Sequence, residues 1–413
     1  MTSTLGWLDA SPGEQRRVQE IVRMFSQSET TDELGGRQVF VVLSDVLFPG
    51  TSVLQSRARY LLFVPWLCRR ASTKGKPAGA LDRMERELIK AFLDDDTVDE
   101  TDRLSGLIGR AAGPQVKQLP STAYWSGLTA WGILQRSGTK SDVLRWTADD
   151  RSNTSDADEL AERRNVTWHP GIGSAPPDFP DVNIDGGFAL SRSEAVWLRE
   201  RWLDTAPGSM LAHLASATQP LAGTAAPWLE PLCLGASPEM VSALEDAERF
   251  SLAIEGAQWM YHLLVSEAYV AKGYTQAPAD IDAARDGLSA WATKASQRQR
   301  LFDVWSSAGF WAFVRGRNPR INELTRSFFD VWFLALAEGP TAAIADHPTL
   351  RKLVTEREVM LKKPPQSRLR NSKMLAAWKA TRPAPTVYRW PQVQQLVNDV
   401  HAGLGIGGDD VRA

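Results

Sequence analysis

Apolar residues recur at helical spacing along most of the chain. In residues 81–92 they stand three or four positions apart with charged residues between them, which predicts an amphipathic helix. Residues 11–27 have the same pattern, and residues 239–271 and 321–338 predict two long apolar helices. No clear alternation with a period of two exceeds a few residues. The fold is therefore predicted to be mainly α-helical and multi-helical.

Local signals indicate where some helices begin. Ser191 followed by Glu194 has the spacing of a capping box, which predicts a helix over 191–203. Ser11 followed by a proline is typical of a cap and first helical position. Residues 38–43 are apolar, but so short a run fits a buried strand as well as a buried helix.

The length of the chain predicts more than one domain. A chain of 413 residues exceeds a single typical core and favours two to three domains. Residues 165–190 hold four Gly and four Pro, which is typical of a connecting segment. The predicted parts are an N-terminal helical domain (1–146), a Gly/Pro-rich linker (147–190), a central helical domain (191–340), a basic C-terminal arm (341–402) and a disordered tail (403–413).

Composition excludes several classes of protein. Hydrophobic residues are 43% of the chain and charged residues 23%, as in globular proteins rather than disordered ones. The longest apolar run, residues 60–68, is too short to cross a membrane, and the N-terminus does not resemble a signal peptide. Only Cys68 and Cys233 are present, too few for a disulfide framework. We therefore expect a cytoplasmic protein without a membrane partner.

The sequence has no recognisable catalytic motif. No two of the five histidines share a helical turn, which disfavours a helical zinc site. There is no phosphate-binding loop of the G-x-x-x-x-G-K-[ST] type and no G-x-S-x-G nucleophile elbow. We therefore predict no catalytic residues, no metal ligands and no cofactor, and lean towards a protein that is not an enzyme.

The net charge of −2 conceals a strong asymmetry. Between Arg351 and Trp390 there are eleven basic and two acidic residues, so this stretch carries +9 and the rest of the chain −11. Such a basic arm beside an acidic body indicates an anionic partner.

Basic and aromatic residues alternate within the arm, as in proteins that bind phosphates while bases stack on rings. The predicted nucleic-acid residues are Lys362, Lys363, Arg368, Arg370, Lys373, Tyr388, Arg389 and Trp390. Trp378, Lys379 and Arg382 continue the pattern. The alternative is that the arm folds onto acidic runs of the same chain, such as 94–96 and 149–150.

A second anion site is predicted near residue 50. Pro49-Gly50 is a turn, and Thr51 or Ser52 could cap a helix running on to Val64, whose N-terminus would favour an anion. The candidate site comprises Thr51, Ser52, Gln55, Arg57 and Arg59. The alternative is that the arginines pair internally, with Asp32, Glu33 or Asp45.

Residues 119–146 suggest a winged-helix or helix-turn-helix element. Ser121 could cap a short helix carrying Trp125, Leu128 and Trp131, and a second helix is predicted from Ser141. Basic residues between the two helices would suit DNA. The alternative is that the tryptophans pack in a core.

Several motifs together resemble a bacterial family of unknown function, and the resemblance covers most of the chain. The most specific are Leu47-Phe48-Pro49-Gly50-Thr51-Ser52, Arg57-Ala58-Arg59-Tyr60 and Phe63-Val64-Pro65-Trp66, followed by Leu119-Pro120-Ser121, Tyr124-Trp125, Phe250-Ser251-Leu252-Ala253 and Tyr388-Arg389-Trp390. Members of that family tend to be encoded in bacterial defence islands, near helicases and nucleases. The resemblance therefore implies a role in anti-phage defence, with a helicase or nuclease as protein partner, but no catalytic residues.

These observations lead to one functional hypothesis and two alternatives. We expect a non-catalytic nucleic-acid-binding or scaffolding component of an anti-phage defence system, with DNA as the favoured nucleic acid. The first alternative is an enzyme acting on nucleotides or nucleic acid with a site assembled from scattered Arg, Asp and Glu. The second is a subunit that only contacts other proteins.

Overall fold

The regular secondary structure of the described residues is helical. A computed structural model describes residues 32–95, 104–153, 166–177, 179–180, 184, 186–277 and 279–407. These residues contain no β-strand, and a single isolated antiparallel bridge joins Leu134 to Trp168. The prediction of a mainly α, multi-helical fold is confirmed. The helix predicted over 11–27 lies outside the described residues.

Fifteen α-helices lie within the described residues. In chain order they are α1 (Arg37–Leu47), α2 (Tyr60–Ala71), α3 (Pro77–Asp94), α4 (Pro120–Ala130), α5 (Lys140–Asn153), α6 (Arg192–Thr205), α7 (Met210–Ser216), α8 (Pro231–Leu234), α9 (Pro238–Ala271), α10 (Ile281–Ser296), α11 (Ser307–Arg317), α12 (Glu323–Ala337), α13 (Pro348–Gln366), α14 (Ser372–Ala376) and α15 (Trp390–Leu404). None of them combines the length and apolar character needed to span a bilayer.

The helices form two compact units, each assembled from two separate stretches of chain. Unit 1 combines Met1–Phe40 with Arg249–Thr386, and unit 2 combines Val41–Glu248 with Val387–Ala413. The boundaries predicted at 147–190 and near residue 340 fall inside these units. The predicted domains are parts that fold independently, which compact units alone do not test. The predicted domain division therefore stays a prediction.

The core of unit 2 surrounds α2. Its first nine residues are apolar on every side, and ten of its twelve residues are buried. Its aromatic residues continue into a cluster that includes Phe92 of α3, whose ring stacks on Phe188 at a centroid distance of 4.3 Å. Ring packing of this kind adds to the apolar area that the unit buries.

In unit 1, α9 and α10 pack through two reciprocal contacts between a glycine and a tryptophan. A Cβ atom added to Gly256 of α9 would lie 2.2 Å from the Trp291 ring of α10. A Cβ atom added to Gly287 of α10 would likewise lie 2.2 Å from the Trp259 ring of α9. Each indole therefore fills the space that a side chain would need, and only glycine permits this approach.

Several predictions from local sequence are confirmed. The long helices predicted over 239–271 and 321–338 correspond to α9 and α12, and the one predicted over 81–92 lies within α3. Residues 38–43 belong to α1, so they form a helix rather than a strand. The capping box is present: the Glu194 amide donates to the Ser191 hydroxyl, and the Ser191 amide donates to the Glu194 carboxylate.

Two helix boundaries were predicted wrongly. Thr51 and Ser52 do not cap a helix that runs to Val64, because α2 begins only at Tyr60. The loop before it closes on itself: the Thr51 hydroxyl donates back to the carbonyl oxygen of Phe48 at 2.6 Å. At the other end of the chain, α15 runs to Leu404, so the first residues of the predicted tail are helical. Gly405 then ends the helix in the left-handed conformation (φ 80°).

The element predicted near 119–146 is a pair of helices, α4 and α5. The cap assigned to Ser121 is wrong, since α4 begins at Pro120 with Leu119 in the capping position. A wing needs strands, and the described residues contain none, so a winged helix is not confirmed. Arg136 lies over the Trp146 ring at 4.3 Å, and Lys140 donates to the Ser121 hydroxyl at 2.7 Å. The basic residues between the helices thus make contacts inside unit 2.

Candidate nucleic-acid interface

The most basic part of the chain lies in unit 1, and we call residues 359–386 the basic segment. It carries seven Lys and Arg residues and no Asp or Glu. It begins in the last turns of α13, includes α14 and ends in irregular chain. Since the segment contains no carboxylate, its charge is balanced either by residues elsewhere in the chain or by an external anion.

Two of the seven cations share one carboxylate. Arg368 Nη1 lies 2.5 Å from Glu33 Oε1, and Lys362 Nζ contacts Glu33 Oε2. All three side chains are mostly buried, between 15 and 19% exposed. These two cations were predicted to face outward to phosphates, but in this structure they pair with Glu33 of their own unit.

A second carboxylate holds the backbone beneath this ion pair. Glu358 is fully buried, accepts a hydrogen bond from the Arg368 amide at 2.7 Å and contacts the Ser367 hydroxyl. Burial raises the pKa of Tyr261 to about 12, so its hydroxyl stays protonated and donates to Glu358 Oε1 at 3.4 Å. The same oxygen accepts from Arg368 Nη1 at 3.0 Å. Glu358 and Tyr261 therefore fix the position of Arg368 independently of Glu33.

The other five cations of the basic segment face solvent. They are Lys363, Arg370, Lys373, Lys379 and Arg382. Among the described residues, none of the five has a carboxylate within ion-pair distance. Arg382 makes one aromatic contact, with its guanidinium 5.5 Å from the centre of the Trp259 ring. The segment therefore presents a net positive surface.

The backbone that carries these cations is held in place by local contacts. Lys363 has a φ of 60°, a conformation that favours glycine, and it breaks the helical path of α13 before two prolines. The Asn371 side chain donates to the carbonyl oxygen of Pro365 at 2.6 Å and accepts from the Lys373 amide at 2.9 Å. The turn between α13 and α14 is therefore tied together by one asparagine.

The aromatic residues of the arm are not available for stacking. Trp378 is 8% exposed and packs between His262 and Tyr269 of unit 1. In unit 2, Tyr388 and Trp390 are fully buried, and each donates its polar hydrogen to a backbone carbonyl, of Ala247 and Thr224 respectively. Neither of these two rings has an open face on which a base could stack.

Arg389 is also used inside unit 2. Its Nη1 atom lies 2.8 Å from the Asp45 carboxylate and donates to the carbonyl oxygen of Thr51 at 2.7 Å. Asp45 was expected as a partner of Arg57 or Arg59, but its partner here is Arg389. A phosphate would have to displace Asp45 to reach this guanidinium.

The arginines of the second predicted anion site pair with carboxylates from distant parts of the chain. Arg57 forms an ion pair with Asp399 at 2.9 Å, and Arg59 lies 3.4 Å from Glu194 and donates to the carbonyl oxygen of Gly187 at 2.7 Å. Both arginines thus pair with carboxylates of the protein itself, which was the alternative to an anion site. The partners differ from those expected, because neither Asp399 nor Glu194 lies near the arginines in sequence.

The remaining residues of that site satisfy one another. The Gln55 side chain donates to the carbonyl oxygen of Gly50 at 3.1 Å and accepts from the Ser52 amide at 3.1 Å. The amides of Ser56 and Arg57 both donate to the hydroxyl of Tyr124. The backbone donors expected to bind an anion are therefore engaged by the protein itself.

Sequence inspection missed one buried cluster in unit 2. Ser121 Oγ lies 3.0 Å from Glu85 Oε2 and 2.7 Å from Lys140 Nζ, and burial raises the pKa of Glu85, with Lys140 opposing the shift. Ser121 is fully buried, so the cluster joins α3, α4 and α5 without exposing a nucleophile. The three residues are too far apart in sequence to form a motif. The described residues also contain no group of His, Cys, Asp and Glu placed to hold a metal ion.

The fold and the basic segment define a mainly helical protein that carries a basic surface. The chain belongs to DUF6361, a family of unknown function whose model matches residues 2–402. The resemblance to an uncharacterised family is thereby confirmed. A comparison with curated proteins and another with solved structures found no significant match.

Proposed function

We propose that this protein is a non-catalytic subunit of a bacterial anti-phage defence system and that it binds DNA through the basic segment. The observation that carries the proposal is the set of five exposed cations in a stretch without acidic residues. Cations that contact DNA phosphates release the counterions condensed on the duplex, which favours binding. The backbone around Lys363, Arg370 and Lys373 is held in place by local contacts, so little ordering of these three is needed when they bind.

The proposed contact is with phosphates rather than with bases. The rings of Trp378, Tyr388 and Trp390 are buried, so the stacking that the sequence suggested has no available surface. Phosphate contacts position a protein on nucleic acid without reading its sequence. We therefore expect binding with a strong salt dependence and little sequence preference.

The test is a fluorescence-anisotropy titration of labelled duplex DNA between about 50 and 200 mM salt. The variant combines Arg370→Ala and Lys373→Ala, which removes two exposed cations without breaking an ion pair among the described residues. We expect weaker binding and a salt slope that is smaller by about 0.9 for each phosphate that the variant no longer neutralises.

The matched control combines Lys74→Ala and Lys76→Ala, two exposed cations of unit 2 that lie outside the basic segment. It removes the same charge, so a non-specific effect of net charge would weaken both variants equally. Equal binding by the wild type and the R370A/K373A variant, or binding that ignores salt, would refute the proposal.

The cellular setting of the proposal comes from the resemblance of the sequence to a family encoded in defence islands. In that setting a helicase or nuclease partner supplies the chemistry and this chain supplies affinity for nucleic acid. A strain carrying the complete defence locus is expected to lose protection when Arg370 and Lys373 are replaced by alanine. Unchanged plaque counts for that strain would separate DNA binding from defence.

A further inference from the structure

Glu33 occupies a position in unit 1 that suits a phosphate group. Its two carboxylate oxygens face different cations, one the guanidinium of Arg368 and the other the ammonium of Lys362. A phosphate also carries several oxygens that can accept from an arginine and a lysine at once. The geometry that binds the carboxylate is therefore compatible with a phosphate.

The charges at this position leave room for more negative charge. The Glu33 carboxylate faces two cations, and the Glu358 carboxylate binds the Arg368 backbone amide. Nearby in sequence, Lys363 and Arg370 add positive charge without a carboxylate partner among the described residues. Burial, and then the charge of Arg368, lower the pKa of Lys362 to about 8, so an anion beside it stabilises its ammonium form. A phosphate dianion would present two negative charges to Lys362 and Arg368, where the Glu33 carboxylate presents one.

Arg368 does not depend on Glu33 alone for its placement. The Arg368 amide is held by Glu358, and Arg368 Nη1 also donates to the Tyr261 hydroxyl. The backbone next to Glu33 is fixed too, since Arg357 Nε donates to the carbonyl oxygen of Leu34 at 2.9 Å. Rotation of the Glu33 side chain alone would therefore uncover the two cations.

We infer that Lys362, Arg368 and Tyr261 form a phosphate-binding site that the carboxylate of Glu33 occupies in the free protein. A phosphate of nucleic acid, or a free phosphate, exchanges with that carboxylate. The nucleic-acid form of the inference rests on the proposed function, because it adds two cations to the five that are already exposed. Glu33 thus weakens binding to any polyanion, and its replacement strengthens binding.

The first experiment compares the DNA affinity of the wild type and the Glu33→Gln variant in the full chain. The matched control is Glu323→Gln, because Glu323 of unit 1 is also shared by two arginines, Arg315 and Arg326, outside the basic segment. Both variants change the net charge by +1. E33Q is expected to bind about fivefold more tightly, as the release of one ion pair allows. Its salt slope should be steeper by about 0.9 for each further phosphate of duplex DNA that it neutralises.

The second experiment uses inorganic phosphate as the probe and needs no DNA. Thermal unfolding is followed in phosphate and in chloride at equal ionic strength. The melting temperature of E33Q should rise more in phosphate than that of the wild type or E323Q, because phosphate takes the place of the missing carboxylate. This added rise should disappear when Arg368→Ala is combined with E33Q.

The two experiments separate the inference from the proposed function. DNA binding that needs Arg370 and Lys373 but is unchanged in E33Q, together with equal melting shifts in phosphate, would overturn the site and leave the function standing. A phosphate shift specific to E33Q supports the site even if no variant binds DNA, and in that case the proposed function fails. If E33Q and E323Q both bind DNA more tightly by the same factor, the effect is one of net charge, and the inferred phosphate site is wrong.

Discussion

Arg57 and Asp399 lie 342 positions apart in the chain and form an ion pair with two hydrogen bonds inside unit 2. Arg57 Nη2 is 2.9 Å from Asp399 Oδ1, and Arg57 Nε is 3.0 Å from Oδ2. The same carboxylate accepts from the Ala58 amide at 2.7 Å. This one side chain therefore joins the loop before α2 to α15.

The Asp399→Asn substitution is expected to lower the free energy of unfolding by about 3 kcal/mol. The reason is that Arg57 would remain largely buried without its counter-ion. The value lies at the low end for a buried pair because the Arg57 side chain is 15% exposed. Urea unfolding followed by tryptophan fluorescence measures the change.

Asp82→Asn in α3 is the matched control, since Asp82 is 50% exposed and its partner Arg86 is 32% exposed. An exposed pair of this kind contributes less than about 1 kcal/mol. Equal losses in the two variants would mean that burial does not set the strength of the Arg57 pair.

The contrast between Ser191 and Arg57 shows what the sequence could predict about the fold. The capping box at Ser191 was predicted because both of its partners lie within one helical turn. The structure around Arg57 was not predicted, because the partners of this residue are Tyr124 and Asp399. Both are distant in sequence, and only the folded chain brings them near Arg57. A pattern of local spacing carries no information about contacts at such separations.

The basic segment shows the same limit for the candidate site. Its charge can be counted from the sequence, but the sequence does not reveal which cations are neutralised. Lys362 and Arg370 look equivalent in the sequence, yet only Lys362 lies against Glu33. Tyr388 and Trp390 likewise read as stacking residues, although both belong to a buried core.

Two histidines, the half-buried His262 and the buried His401, are expected to make stability depend on pH. Burial, and then the charge of Arg382, lower the pKa of His262 in unit 1. Burial also lowers the pKa of His401 in unit 2, although its contact with the Leu214 carbonyl opposes the shift. Both histidines are therefore neutral in the folded protein at a pH where they are protonated in the unfolded chain.

The sign of the effect follows from this difference. The unfolded chain takes up protons as the pH falls through about 6.5, whereas the folded protein does so only at lower pH. The free energy of unfolding should therefore fall below about pH 6.5 and stop falling once the pH has passed the lowered folded values. Urea titrations between about pH 7.5 and 5.5 measure this loss.

The combined variant His262→Gln and His401→Gln should lose less stability over the same pH range, because it lacks both titrating groups. A pH dependence identical to that of the wild type would show that other residues cause it. For each protein, the free energy of unfolding at low pH is compared with its own value at about pH 7.5. Any loss of stability that the substitutions cause at every pH then cancels.

The reciprocal glycine–tryptophan contacts of unit 1 predict that alanine is not tolerated there. Gly256→Ala and Gly287→Ala should each lower the free energy of unfolding by about 1–3 kcal/mol, because the new methyl group overlaps an indole ring. Gly316→Ala in α11 is the control, since nothing lies within 4 Å of its Cβ position. It should be neutral or stabilise by up to about 1 kcal/mol.

Chemical unfolding of the three variants tests this packing. If Gly256→Ala and Gly287→Ala change the free energy of unfolding no more than Gly316→Ala does, the two indole rings can move aside. Full-length variants with native circular dichroism are required for the comparison, since a variant that does not fold gives no unfolding curve.

The arrangement of unit 2 has a consequence for how the protein is made. Translation delivers the chain from its N-terminus, yet α15 belongs to the same unit as α2 and supplies the partner of Arg57. During synthesis, unit 2 therefore cannot complete its native contacts until α15 has been translated. A chain that terminates early would leave the arginine of its first loop without a carboxylate, a defect that quality-control proteases could recognise.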